Sequence, residues 1–332
     1  MLHSKRVIIV LFTCIFAVFL ACEETTISNE TVEKEGLISA DYVEVESAKK
    51  SETNTGGFEE GVYSEQLADI NSQLKDKGFD NIELAMAETI MYTTDGGLQA
   101  GQTLFANDRT KTLPSQWQAF DPIRSSVTGI QAGNDLTHTV FSPLATANGS
   151  MNSEPDIDAS FETWNNLKKN SGLDIIKVPT PAGVFPSAIL SFGGLTNDPF
   201  AAEISTIGFL PGAIFDSVLG PGASSSVLGV TFTFTWIAAP DVVALKEVWY
   251  NDDFTWSNDG SGGIDIESVA LHENGHALGF GHFGRIFITN GNGKLHVAPR
   301  AVMKASYLGP VREPLGTDKA SFNNVYGNWP ND

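Results

Sequence analysis

The chain of 332 residues is poor in cysteine, holding only Cys14 and Cys22. Both lie near the N-terminus, so the rest of the chain can form no internal disulfide and must rely on buried apolar surface and bound metal. Basic residues are also few, 20 Lys and Arg against 40 Asp and Glu, giving a formal net charge of -20. Binding a phosphate backbone needs clustered cations, which excludes nucleic acid as a partner. Long apolar runs are absent beyond the first residues, yet 42% of the chain is hydrophobic and 18% charged, as in a globular protein with a real core. Histidine is scarce at six residues, and three of them fall between His272 and His282.

Lys5 and Arg6 precede an apolar run from Val7 to Ala21. The run is short against the ~20 residues of a membrane span and suits the core of an export signal. It ends at Cys22, followed by Glu23 and Glu24, and so resembles a bacterial lipoprotein signal whose cysteine is lipidated. Phe19 departs from the leucine such signals carry, and plain secretion with cleavage near Ala21 is the alternative. Either route implies export. The lipoprotein route implies surface display on the cell envelope, with membrane contact only through the N-terminal lipid anchor.

Four segments follow from composition: a signal over 1–22, an acidic Ser/Thr-rich tether over 23–61, a small N-terminal unit over 62–119 and a main domain over 120–332. Leu67, Ile70 and Leu74 at helical spacing predict a helix that stops at Gly78, and IELAMAETIMYT predicts a strand. Ile157, Phe161, Trp164 and Leu167 predict a core-facing helix over Asp156 to Leu167. PSAILSFGG, SVLGVTFTFTWIA and LKEVWYNDDFTW predict strands, the last running into a turn, and Gly193 to Ala223 reads as loop.

The decisive stretch is IDIESVALHENGHALGFGH. It predicts a helix with Asp265 as N-cap and Gly279 at its end. His272 and His276 stand four apart, on one face and one turn above the other, so both imidazoles reach one ion. Glu273 projects beside them, placed to touch a water on that ion rather than to bind it. Gly279 turns the chain back, and His282 then supplies a third nitrogen, leaving one coordination position open. His3, His138 and His296 lack such spacing and are read as non-ligands.

This pattern resembles the metzincin zinc endopeptidases, and within them the matrixins. AVMKASY offers Met303 as the methionine of the turn beneath the metal, and Tyr307 matches the tyrosine that follows it. LGTDKASFNNVYG, NDDFTW and STIGFLPG resemble the matrixin C-terminal helix, acidic turn and segment before the edge strand. The resemblance implies a mixed α/β (α+β) zincin fold: a twisted, mainly parallel sheet with an active-site helix and a C-terminal helix. It implies one catalytic zinc, Glu273 as general base, Met303 as an apolar floor, Tyr307 at the pocket, and a protein or peptide substrate lying extended along a sheet edge.

Several positions depart from that family. Phe283 replaces a serine, Ala305 a proline and Phe254 an acidic residue, and the His282 to Met303 gap is long. Calcium at Asp252 and Asp253 is left open, no second zinc is expected, and latency must work without the propeptide cysteine. Oligomeric state is not legible. The competing reading is a non-catalytic surface-binding lipoprotein with a structural zinc, against which Glu273 argues.

Overall fold

A computed structural model describes residues 64–92, 103–107, 112–128, 133–168 and 171–330. Cys22, the signal and the tether lie outside the described residues. In chain order the main elements are α1 (Ser64–Asp76), β1 (Ile82–Tyr92), β2 (Thr103–Asn107), β3 (Leu136–Val140), α2 (Glu154–Asn165), β4 (Ile175–Lys177), β5 (Ile204–Leu210), α3 (Gly212–Leu219), β6 (Val227–Trp236), β7 (Ala239–Asn251), α4 (Ile266–Ala277), β8 (Gly284–Ile288), β9 (Leu295–Ala298), β10 (Ser306–Tyr307) and α5 (Gly316–Tyr326).

Seven strands form one sheet in the order β10-β1-β6-β7-β5-β3-β4. All run in one direction except β6, which is antiparallel to both its neighbours. The fold is thus mixed α/β with a mostly parallel central sheet. A second sheet of three strands, β9-β8-β2, is built from the long insertion after His282 and from β2.

The main sheet is covered on both faces, which the TFTFT run of β6 reflects directly. Phe232 and Phe234 enter one apolar cluster with Ile70 and Leu74 of α1 and Phe215 of α3. Thr231 and Thr233 point the other way, and both are fully buried. On that face α2 and α4 pack, with Ile157, Phe161 and Trp164 sharing a cluster with Val269, Leu271 and Met303. The helical stripe expected from spacing is therefore the one buried, and Leu167 packs at its margin. Among the described residues no helix is long and apolar enough to cross a membrane.

Two sequence expectations are corrected. PSAILSFGG is not a strand; only Val184–Phe185 just before it pairs. Its polar groups are claimed by side chains instead: Ser187 Oγ and Ala188 N donate to the Glu247 carboxylate at 2.6 and 2.9 Å, and Asn197 Nδ2 donates to Ser187 O at 2.9 Å. Conversely, the supposed loop from Gly193 to Ala223 contains β5 and α3. Every residue of β5 is buried, so it lacks the alternation that marks a half-exposed strand.

The 62–119 segment does not stand apart. β1 lies inside the main sheet between β6 and β10, β2 pairs with β8, and Gln116 bridges to Val242 beside β7.

Candidate metal centre

Helix α4 begins where the sequence places it. Asp265 is the N-cap, its carboxylate accepting from Ser268 N at 3.1 Å. The helix ends at Gly279, whose φ of +89° is a left-handed turn that favours glycine. A Cβ there would also sit 2.5 Å from Gln116 Oε1. The last carbonyls of a helix have no internal partner, and three at this end find one in a distant side chain. His276 O accepts from Lys246 Nζ at 3.0 Å, Ala277 O from Trp117 Nε1 at 2.8 Å and Leu278 O from Tyr326 Oη at 2.7 Å. The helix end that carries the histidines is therefore fixed by three residues distant in sequence.

The turn brings His282 back onto His272 and His276. Their Nε2 atoms converge at 2.9 Å (272 to 276), 3.0 Å (276 to 282) and 3.1 Å (272 to 282). The opposite nitrogens are occupied. His272 Nδ1 donates to Val302 O at 2.8 Å and His276 Nδ1 to Phe280 O at 2.7 Å. Glu88 Oε2 of β1 lies 3.3 Å from His282 Nδ1. A proton held on Nδ1 leaves Nε2 a lone pair, so these acceptors set each ring for ligation. Burial lowers the pKa of all three imidazoles, with His282 down to about 3; His282 lowers that of His272 further, and both lower that of His276. Three neutral nitrogens turned on one another this closely repel unless a cation lies between them. The residues present thus fit a metal ion, and they are the cluster of this kind found among the described residues.

Glu273 is fully buried beside them. Thr231 Oγ1 of β6 donates to its Oε2 at 2.6 Å, and Ile90 N of β1 donates to its Oε1 at 3.2 Å. Burial nevertheless pushes its carboxyl well above the usual range, outweighing both bonds. Gly229 of β6 makes the space, because a Cβ there would lie 3.0 Å from Glu273 Oε1.

Met303 is fully buried, next to Val302, whose carbonyl accepts from His272. Its turn is pinned by Asp318 of α5, whose carboxylate accepts from Val302 N, Met303 N and Leu315 N at 2.9, 3.2 and 2.7 Å. The methionine sulfur packs against Gly275, where a Cβ would come within 2.3 Å of it. Gly275→Ala should therefore destabilise the chain by ~1–3 kcal/mol, as overpacking does, although alanine is the better helix former by about 1 kcal/mol. Denaturant unfolding checks this; a stabilised variant would show that the contact is not tight.

Tyr307 Oη accepts from Asp265 N at 3.0 Å, at the start of α4. Asp252 Oδ1 accepts from Asn148 N and Asp253 Oδ1 from Gly212 N, both at 2.9 Å, so both carboxylates hold backbone. His138 is buried in β3 and stacked on Phe161, and His296 stacks on Phe287. Glu88, Thr231, Gly229, Gly275 and Asp318 were not singled out from sequence. Asp318 had a local signal, as the acidic residue early in the C-terminal helix, and Gly275 lies within α4 beside His276; Glu88, Thr231 and Gly229 reach the site through sheet strands.

No family model matches the chain. It is 35% identical over 89 residues to human matrix metalloproteinase-25, covering 24% of this chain and 13% of that protein. It is 37% identical over 85 residues to the mouse protein of the same name, covering 24% of this chain and 12% of that one. The chain thus spans about an eighth of the length of these relatives. That similarity relates a quarter of the chain to a metalloproteinase.

Proposed function

We propose that the chain is a zinc-dependent endopeptidase of matrixin type. The observation that carries this reading is the arrangement of α4: three neutral Nε2 atoms converging, with a buried glutamate adjacent to the first of them that is not one of the three. His272, His276 and His282 would hold zinc. Zinc bound there supplies a Lewis acid that polarises a peptide carbonyl and brings a water's pKa to about 7.

The chain's own residues do the rest. Glu273 takes the proton of the attacking water at a carboxylate oxygen and returns it to the leaving amine. Thr231 fixes the orientation of that carboxylate through Oε2. Val302 O and Phe280 O hold two rings in the ligating tautomer. Met303 and Gly275 form the tight floor beneath them. An extended protein segment would lie along a sheet edge beside the triad, held by backbone hydrogen bonds, although β6, the strand next to Glu273, is paired here on both sides, with β7 and β1. The competing structural-zinc reading needs a fourth protein ligand to close the site, and the metal-binding group is the triad alone among the described residues.

Casein digestion is the test. The zinc-loaded chain should cleave internal bonds, a chelator should stop it, and added zinc should restore it, with metal analysis near one zinc per chain. Absence of chelator-sensitive cleavage would sink the reading.

A further inference from the structure

We propose that β9 is an open sheet edge on which an acidic, extended segment of the substrate docks beside the triad. The proposal rests on the endopeptidase reading and names the class of polypeptide that the site takes.

The first observation is where the edge lies. β8 starts at Gly284, just past His282, and β9 ends at Ala298, shortly before Val302, whose carbonyl accepts from His272 at 2.8 Å. Phe283 N donates to Met303 O at 3.1 Å and closes the base of this excursion. Both ends of the β8–β9 hairpin are therefore rooted at the metal centre.

The second observation is that the edge is open. In the order β9-β8-β2, β8 is paired on both sides, whereas β9 is paired on one side only among the described residues. β6, by contrast, has a partner on each side. A terminal strand presents a row of backbone N–H and C=O groups to which an extended chain can add. Such edges are commonly guarded by lysine or proline, and β9, Leu-His-Val-Ala, contains neither.

The third observation is charge. Between Glu273 and Glu313 the chain has no Asp or Glu and five Lys and Arg, in a protein of formal net charge -20. Arg312 is held by Asp265 and Glu267, and Lys304 is buried. Lys294 and Arg300 are exposed and stand on either side of β9 in the chain. No carboxylate among the described residues pairs with either. Cations that only guarded the edge would sit on it; these two flank it and leave its backbone approachable. An acidic protein repels an acidic polypeptide over most of its surface and attracts it here, which orients the partner. Backbone pairing with β9 then holds the segment, and Lys294 and Arg300 select carboxylates near its ends.

The probes are fluorescein-labelled Glu-Glu-Val-Thr-Val-Glu-Glu and the same peptide with Gln for Glu, each added to the full zinc-loaded chain. Anisotropy should show the Glu peptide bound more tightly by roughly three- to thirtyfold, since each exposed ion pair contributes up to a factor of about five. Salt at about 1 M should close that gap. Lys294→Glu combined with Arg300→Glu should abolish the preference while zinc content and the unfolding midpoint stay put, because both side chains are exposed. The Glu peptide N-methylated at its three central residues should also bind more weakly, having lost the donors that an added strand uses. Equal binding of the Glu and Gln peptides, equal preference in wild type and double variant, or undiminished binding of the methylated peptide overturns the proposal, and chelator-sensitive casein cleavage would leave the endopeptidase reading standing beside that failure. Selective binding by a chain that never cleaves casein would sink the endopeptidase reading while the docking edge stands.

Discussion

Glu273→Ala should lower peptide hydrolysis by ~10²–10⁴-fold or more, as loss of a general base does. Zinc content should stay near one per chain. The reason is geometric. Glu273 is not among the three converging nitrogens, and the contacts that orient the rings run through Val302 O, Phe280 O and Glu88, none of which the substitution alters. The fold should also persist. Thr231 Oγ1 loses Oε2 but still has the carbonyl of residue 273 at 3.0 Å. Ile90 N–H loses its acceptor at a cost of ~1–3 kcal/mol, offset in part because the carboxyl removed is one that burial disfavours. Steady-state kinetics with metal analysis on the same preparation checks both halves. Turnover close to that of the parent would contradict the hydrolytic mechanism; loss of zinc would show that Glu273 acts on the triad and not on the water.

The triad was legible because its geometry is local. Histidines four apart on a helix and a glycine three residues on settle the approach of His282 almost without reference to the rest of the chain. The α2 stripe was legible for the same reason, since a buried face writes its period into the sequence, and β6, buried along its whole length, was legible from its β-branched and aromatic composition. β5 was not, because a strand buried on both faces has no period, and the glycines and prolines around ISTIGFL read as loop. PSAILSFGG failed in the opposite direction: its composition suits a strand, but Glu247, far along the chain, takes its Oγ and N–H donors. β1 is the instructive case. Its strand character was plain from IELAMAETIMY, whereas its place between β6 and β10 depends on pairings with residues more distant in sequence than any local pattern can encode. The part of the site that sequence missed, Glu88, Ile90, Thr231 and Gly229, is the part delivered by that pairing.

His276→Ala should behave differently from the substitution three residues before it. One of three ligands is removed, leaving two where a zinc site of this kind needs three. Zinc should fall to background, and hydrolysis with it. Stability separates the cases further. A metal that binds only the folded chain stabilises it by about 4 kcal/mol at a thousandfold excess over Kd, so the unfolding midpoint of the wild type, and of Glu273→Ala, should climb as zinc is added. That of His276→Ala should not move. In chelator the substitution has opposing effects. It strips Phe280 O of its donor at the glycine turn, and it removes one of three nitrogens crowded to within about 3 Å of one another. The turn itself stays tied by Gly279 N to residue 276 O and by Phe280 N to Gly275 O, both at 2.9 Å. The helix end should therefore survive, and the loss should be one of metal and not of fold. Zinc titrations of the unfolding midpoint for the three chains decide it: a His276→Ala chain whose midpoint rises with zinc as the wild type's does would show that the metal, if held, is held by other residues.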